Sequence, residues 1–394
     1  MKSLAIVFGA ALVLSAWIDG TSSGVPEPLL AFQTSTSATQ SSQSEIDVNA
    51  KIAELSSNDP TVRASAACAL GELKEGAIAA IPALINLLGD DAPVMNFECL
   101  EGKHSGRFKN PQTPTSPGEV AANALARMGS HAVEPLIAVT KSNNWVVRKN
   151  ASFSLGVIRD PRTVDALLSL IGDTEWQVRE QAAWGLGLKK EPRVVDPLVT
   201  ALQDSFFQVR RKAAWALGLT GNSQSVMPLV TALRDEHADV REQTAWALGL
   251  KGDSRSVDGL VAALSDKVAE VRTQAAWALG LKGDSRAVMP LISALNDEDV
   301  EVRTQAAWAL GLKGDSRAVL PLVAAVRDDH AEVRAQAAWA LGLKGDRRSV
   351  DALTVALKDR DSDVRENAAW ALKLLRPRTG VAVEVNPSID VNPK

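Results

Sequence analysis

The sequence contains no tyrosine, only two cysteines and four histidines, and its ten tryptophans and seven phenylalanines amount to 4% of 394 residues. Two cysteines cannot make a disulfide-dense scaffold or a zinc cluster of four thiolates. The histidines, His104, His131, His237 and His330, form no cluster with metal-ligand spacing, and no HExxH, GxSxG or phosphate-loop pattern occurs. Positive charge is not in excess: 43 Lys and Arg stand against 47 Asp and Glu, a formal net charge of −4. Such a chain offers no basic field to a polyphosphate, so nucleic acid is not an expected partner. Neither a cofactor nor a metal is implied by any motif.

Long hydrophobic runs are also lacking, with one exception. Lys2 precedes an apolar run from Leu4 to Ile18, followed by Asp19 and small residues through Gly24. This run is short for a membrane span of about 20 residues and fits a secretory signal, with cleavage expected after Gly20 or Gly24. Residues 1–20 are therefore read as a signal peptide and the protein as periplasmic or secreted, an uncleaved membrane anchor being the alternative. Residues 21–45 are dominated by Ser, Thr and Gln and read as a flexible leader.

What the chain does have is a repeat. Trp recurs at 184, 215, 246, 277, 308, 339 and 370, always 31 apart, and an Arg after Val keeps the same step from Arg148 to Arg365. In the unit Asp253 to Gly283, Val257, Leu260, Val261 and Leu264 stand at i, i+3, i+4 and i+7, one apolar stripe of a helix. After a break at Ser265–Lys267, Val271, Ala275, Ala278 and Leu279 make a second stripe, and Gly283 suits the left-handed residue that ends a helix. Asp253 or Ser254 can cap the next helix, and Pro197, Pro228, Pro290 and Pro321 fall in first helical turns, where a missing donor costs little. Each unit is a helical hairpin, and since one hairpin cannot bury both stripes alone, neighbouring copies must stack. The expected fold is all-α, an α-α superhelix of about ten two-helix units spanning 46–376. Gly118 aligns where an Arg is due, 55 residues after Arg63, so one unit carries about 24 extra residues, near 91–117.

The segment V-R-x-Q-A-A-W-A-L-G-L-K-G-D-S-R-A-V-x-P-L resembles the HEAT-like repeats first named for phycobilisome lyases, over about 330 residues. That resemblance implies polar ladders between units, from Arg241, Arg272 and Arg303 to Asp253, Asp284 and Asp315, interrupted at Gly118. It also implies that the second helix of each hairpin lines the concave surface.

A wheel at 100° per residue sets Val240, Thr244, Ala247 and Leu248 on one side of the second helix and Trp246 on the other, beside Asp239, Gln243 and Leu250. Repetition turns these into columns: Trp184, Trp215, Trp246, Trp277, Trp308, Trp339 and Trp370; Gln181, Gln243, Gln274, Gln305 and Gln336; and an acidic column including Asp239, Glu270 and Glu301. Exposed indoles can receive aliphatic or cationic side chains and the amides can bond a peptide backbone, so the expected partner is a protein or extended peptide, with Lys or Arg favoured by the acids. A glycan is a less favoured occupant. The arrangement is similar to the Trp and Asn ladders of armadillo proteins, by analogy only. Alternatively each Trp packs against the next unit and the chain is a structural spacer.

Cys68 occupies the Trp column of the first unit and Cys99 lies in the insertion. In an oxidising compartment the two can pair and pin the insertion over one end of the groove; as free thiols they would not. The insertion itself is either a tolerated loop or a specificity element. Residues 377–394 carry Val381, Val383 and Val385 without helical spacing, and either stay unpacked or cover the open core edge of the last unit. An enzyme, an accessory subunit or a lyase-like activity is the third reading and is set aside. No His is followed by Glu, as the similar deoxyhypusine hydroxylases would require, and His237 and His330, three units apart, should be separated by about 30 Å. Gly185-Leu186-Gly187 only superficially resembles a glycine-rich loop, because Gly185 stands where other units have alanine.

Overall fold

The computed structural model describes residues 47–95, 97, 99 and 114–375. Segments 1–20, 21–45 and 377–394, and most of the insertion, lie outside the described residues. Within them the chain forms ten helical hairpins. First helices are short, as in Val226–Ala232, Val257–Ala263 and Val288–Ala294, and a single 3-10 turn leads into several of them. Second helices are longer, as in Ala238–Lys251, Ala269–Lys282 and Ala331–Lys344.

The local signals act where chemistry places them. Asp253, Asp284, Asp315 and Asp346 each accept the backbone N–H two residues on, which starts the 3-10 turn. Gly283 and Gly345 end their helices at φ of 72° and 65°, a conformation that would strain any other residue there. The insertion lies between Ile81–Leu87 and Pro117–Arg127, and its ends are held together by an antiparallel bridge between Val94 and Thr115.

Val257, Leu260, Val271, Ala275, Ala278 and Leu279 are fully buried, and their counterparts in the neighbouring units join one continuous core. Ala275, Ala276 and Ala278 keep the second helices slim, so successive second helices pack directly on one another while first helices touch their counterparts little. Each step between units is therefore tighter on the second-helix side.

The polar ladder differs from the one the resemblance implied. Arg241, Arg272 and Arg303 do not reach Asp253, Asp284 and Asp315; those acids hold Arg255, Arg286 and Arg317, two residues further on, at the surface. Each buried arginine instead grips the acid 25 residues ahead, in the turn between the helices of the next unit. The pairs run Arg148–Asp173, Arg179–Asp204, Arg210–Asp235, Arg241–Asp266, Arg272–Asp297, Arg303–Asp328 and Arg334–Asp359. Arg241 shows the geometry: Nε donates to Asp266 Oδ2 at 2.6 Å, Nη2 to Oδ1 at 2.8 Å, and Nη1 to the Asp235 carbonyl at 2.9 Å. One guanidinium thus ties its own turn to the next. At Gly118 the ladder is interrupted, because its amide donates to the Asp90 carbonyl at 2.9 Å and a Cβ there would stand 2.7 Å from the Leu88 carbonyl oxygen.

Candidate functional site

Asp239, Gln243, Trp246 and Leu250 stand at i, i+4, i+7 and i+11 of Ala238–Lys251, so they share one helix face. The opposite side is closed: Val240, Thr244, Ala247 and Leu248 have no exposed surface. The same face recurs in the neighbouring units, where it gives four parallel columns.

The Trp column is both packed and open. Trp184, Trp215, Trp246, Trp277, Trp308 and Trp339 are half-buried and Trp370 is 38% exposed. Each indole lies over a glycine of the preceding second helix: a Cβ built on Gly249 would come within 2.3 Å of Trp277 Cζ3, and one on Gly218 within 2.4 Å of Trp246 Cζ3. The glycines at 156, 187, 218, 249, 280, 311 and 342 are thereby explained, since any side chain would displace the next ring. Phe153 takes the Trp position one unit before Trp184 and stacks on it at 5.4 Å.

The amide column is less free than the wheel suggests. Gln181, Gln243, Gln274 and Gln336 are half-buried, while Gln305 is buried, with its Nε2 making no hydrogen bond. At the end of the column Asn367 donates from Nδ2 to the Ala335 carbonyl at 3.1 Å, so amides at this position can serve the stack itself. The acids Asp239, Glu270, Glu301, Glu332 and Asp363 are all exposed, and each lies in the first turn of its helix, where the positive end of the macrodipole favours it.

A fourth column was not singled out in the sequence. Leu188, Leu250, Leu281, Leu312, Leu343 and Leu374, each four residues after a Trp, are 39–52% exposed. The signal was present, because the wheel sets Leu250 beside Trp246 and the 31-residue period repeats it. Trp and Leu together form an apolar strip that passes from unit to unit, bordered by the acids.

Charge on this face is uneven along the array. Lys149 bonds Glu119 at 3.2 Å and Arg211 reaches Asp239 at 3.5 Å, one unit apart in each case. Burial pushes the Glu180 carboxyl up, opposed by Lys212, Arg211 and Lys149; burial pushes Glu242 up too, with Asp239 and Glu270 adding to it. Beyond Glu242 the equivalent positions are Thr273, Thr304 and Ala335, uncharged until Glu366 in the last unit, while the neighbouring acidic column continues through Glu270, Glu301 and Glu332.

Cys68, in the Trp column of the first unit, is bonded to Cys99, with a Cα–Cα distance of 5.9 Å. Glu72 stands beside the pair, but the sulfurs are spent on each other and present no thiolates to a metal. Elsewhere a cleft of about 490 Å³ opens at Gly156, Pro161, Leu188 and Lys189. The Lys189 ammonium there already donates to the Leu155 and Ile158 carbonyls, and burial brings it down to about 8.

The family model of HEAT repeats matches residues 133–206, 195–279, 257–332 and 319–383, and that of the PBS lyase HEAT-like repeat matches residues 62–90. The chain belongs to the HEAT-repeat family. A search of the curated proteins finds no match. Among solved structures this HEAT-repeat array is similar to YibA of Escherichia coli, with 22% identity over 64% of this chain and 94% of that one, at a TM-score of 0.49. It is also similar to Kap95p, described as binding RanGDP, with 15% identity over 83% of this chain and 45% of that one, at a TM-score of 0.48. Human deoxyhypusine hydroxylase matches with 23% identity over 62% of this chain and 95% of that one, at a TM-score of 0.30. Among the described residues no helix is long and apolar enough to cross a membrane.

Proposed function

We propose that this HEAT-repeat array is a binding scaffold that holds an extended protein segment along the exposed face of its second helices. The observation that carries this reading is the unbroken Trp and Leu strip, which leaves leucines 39–52% exposed at every unit in the regular part of the array except one. An array needing only to be stiff would gain nothing from exposing them. The column of acids along the strip favours a segment with Lys or Arg on one side and apolar residues on the other. Half-buried glutamines between the two supply donors and acceptors for its backbone. Export, read from residues 1–24, belongs to the same proposal, as does the absence of a catalytic role.

The leucines test this better than the indoles, because the indoles also cement neighbouring units. Leu281, Leu312 and Leu343 changed together to Gln should leave the helical circular dichroism and the melting profile intact. Selection from a displayed library of random peptides should enrich apolar sequences containing Lys or Arg on the native protein, and that enrichment should vanish on the variant. Equal enrichment on both would refute the reading. The spacer reading retains one supporting observation, the contact of each indole with the preceding glycine, and it predicts no enrichment on either protein.

A further inference from the structure

The cleft at Gly156, Pro161, Leu188 and Lys189 opens where two units depart from those that follow. Trp176–Gly187 stops two residues short of the register of Phe207–Thr220, and Pro192 holds Glu191 extended, at φ −117° and ψ 134°. The space of about 490 Å³ left between the two turns has the size of a small-ligand pocket. Arg159 and Lys190 line it from a position that is glycine in the next five units, at Gly221, Gly252, Gly283, Gly314 and Gly345.

Its polar groups leave an excess of positive charge. Lys189 is 8% exposed, and its ammonium spends two donors on the Leu155 and Ile158 carbonyls, at 2.7 and 2.6 Å, which leaves a third. The two carboxylates of the lining are held from outside it: Asp160 accepts from Arg162 Nε at 3.0 Å and Nη2 at 2.7 Å, and Glu191 from Arg193 Nε at 2.7 Å. The complementary occupant is therefore anionic. The remaining walls are apolar, formed by Val157, Pro161, Val164 and Leu188. Val157 and Leu188 are each 41% exposed and stand four residues after Phe153 and Trp184, so the cleft opens onto the Trp and Leu strip.

We infer that the cleft takes the carboxyl-terminal residue of the segment held on that strip, an apolar residue whose carboxylate meets the Lys189 and Lys190 ammonium groups. This rests on the binding role proposed above. A chain end brings the anion and the apolar side chain together in one residue, whereas an internal Asp or Glu must lead main chain in and out of the cleft and offers little to the apolar walls. The polarity of the segment follows: its end lies here and its Lys or Arg residues lie upstream, toward Glu270, Glu301 and Glu332. Glu270 belongs to the helix three units beyond that of Leu188. At about 8–10 Å per unit and about 3.3–3.6 Å per extended residue, it meets a residue about seven to nine positions before the end.

A synthetic library of peptides about twelve residues long, each made with a free carboxyl end and with an amide end, tests this when captured on the full-length protein and counted by mass spectrometry. Free acids ending in an apolar residue should be captured about tenfold better than their amides, the scale of one charge-assisted hydrogen bond, with Lys or Arg enriched about seven to nine residues upstream. Lys189→Met should erase that preference. Lys190→Gly, which installs the residue of the later units and leaves the two carbonyl bonds of Lys189 in place, should reduce it severalfold, and it should still capture the amides. Equal capture of acids and amides by the native protein, or a preference unmoved in Lys190→Gly, would overturn the assignment of the cleft and leave the scaffold reading standing. Capture of neither form would overturn both. N-acetyl-leucine binding as tightly as the free-acid peptides would make the occupant a small apolar acid and overturn the assignment to a chain end.

Discussion

Replacing Arg241 with Met removes one rung of the ladder while keeping most of the side-chain bulk. The Arg241 and Asp266 side chains are 7% and 12% exposed, so the pair is shielded from solvent, and the variant strands a carboxylate that keeps only the Val268 amide, 3.0 Å from its Oδ1. The Asp235 carbonyl loses its donor as well. Removing one partner of a buried pair costs about 3–5 kcal/mol, and the amide that stays on Asp266 places the expected loss near the lower end, about 3 kcal/mol. Arg255→Met is the control: Arg255 and Asp253 are 46% and 42% exposed, and an exposed pair of this kind, screened by solvent, contributes little to stability. Urea denaturation followed by Trp fluorescence should show a much lower midpoint for Arg241→Met and little change for Arg255→Met. Acid sharpens the comparison. Burial alone would raise the Asp266 carboxyl, but the bonds from Arg241 and the Val268 amide outweigh it and hold the group below its ordinary value. A depressed folded value means that the rung stabilises above the ordinary carboxylate range and loses its contribution as pH falls through the lowered value. Equal midpoints for the two variants would refute the claim that the rungs hold units together.

Two further variants probe other contacts. Gly249→Ala gains about 1 kcal/mol of helix propensity but drives a methyl group to 2.3 Å from Trp277 Cζ3, an overlap costing about 1–3 kcal/mol, so a lower midpoint and a shifted Trp emission are expected. Lys313 is 4% exposed and its Nζ makes no hydrogen bond; burial, opposed by Asp284 and reinforced by Lys344 and Lys282, brings it down to about 8. The unfolded chain then binds more protons than the folded one between about pH 8 and the ordinary lysine value, so this group makes stability rise with pH across that window. Lys313→Met should raise the midpoint at pH 7 and flatten that rise; an unaltered pH profile would show that the ammonium finds partners in solution.

The architecture was legible because each structural need recurs every 31 residues, which turned single ambiguous residues into columns. Val240 and Leu248 alone could sit in any helix, but seven copies of the same stripe fix both the helix and its buried side. The ladder that the resemblance implied named the wrong acid, and the 31-residue period could not have corrected it. Asp253 and Asp266 recur with the same period, and period alone cannot say which of two acids an arginine reaches; the 25-residue offset appears only once the hairpins are stacked. Leu250 was passed over because the wheel assigns direction without exposure, and leucine on a helix is ordinarily core. The wheel also could not tell that a residue pointing away from its own core stripe would lie on the glycine of the preceding unit, since that depends on how closely two backbones approach.

The placement of the indoles would tie the proposed binding to the stack. Trp277 rests on Gly249 of one unit while its free edge and Leu281 belong to the surface of the next, so a segment lying along the strip covers the seam between the two. In an array whose units touch only their neighbours, stability is approximately a sum over such seams, and a ligand that binds the closed seam but not the parted one adds to each seam it crosses. Under the proposed binding, a longer segment would therefore stiffen more seams, most strongly between Glu242 and Glu366, where Thr273, Thr304 and Ala335 make no cross-unit charge contacts like those of Lys149 and Arg211. That stretch is thus where the proposed occupant would have the most to contribute, its exposed acids Glu270, Glu301 and Glu332 being left to meet the occupant's Lys or Arg.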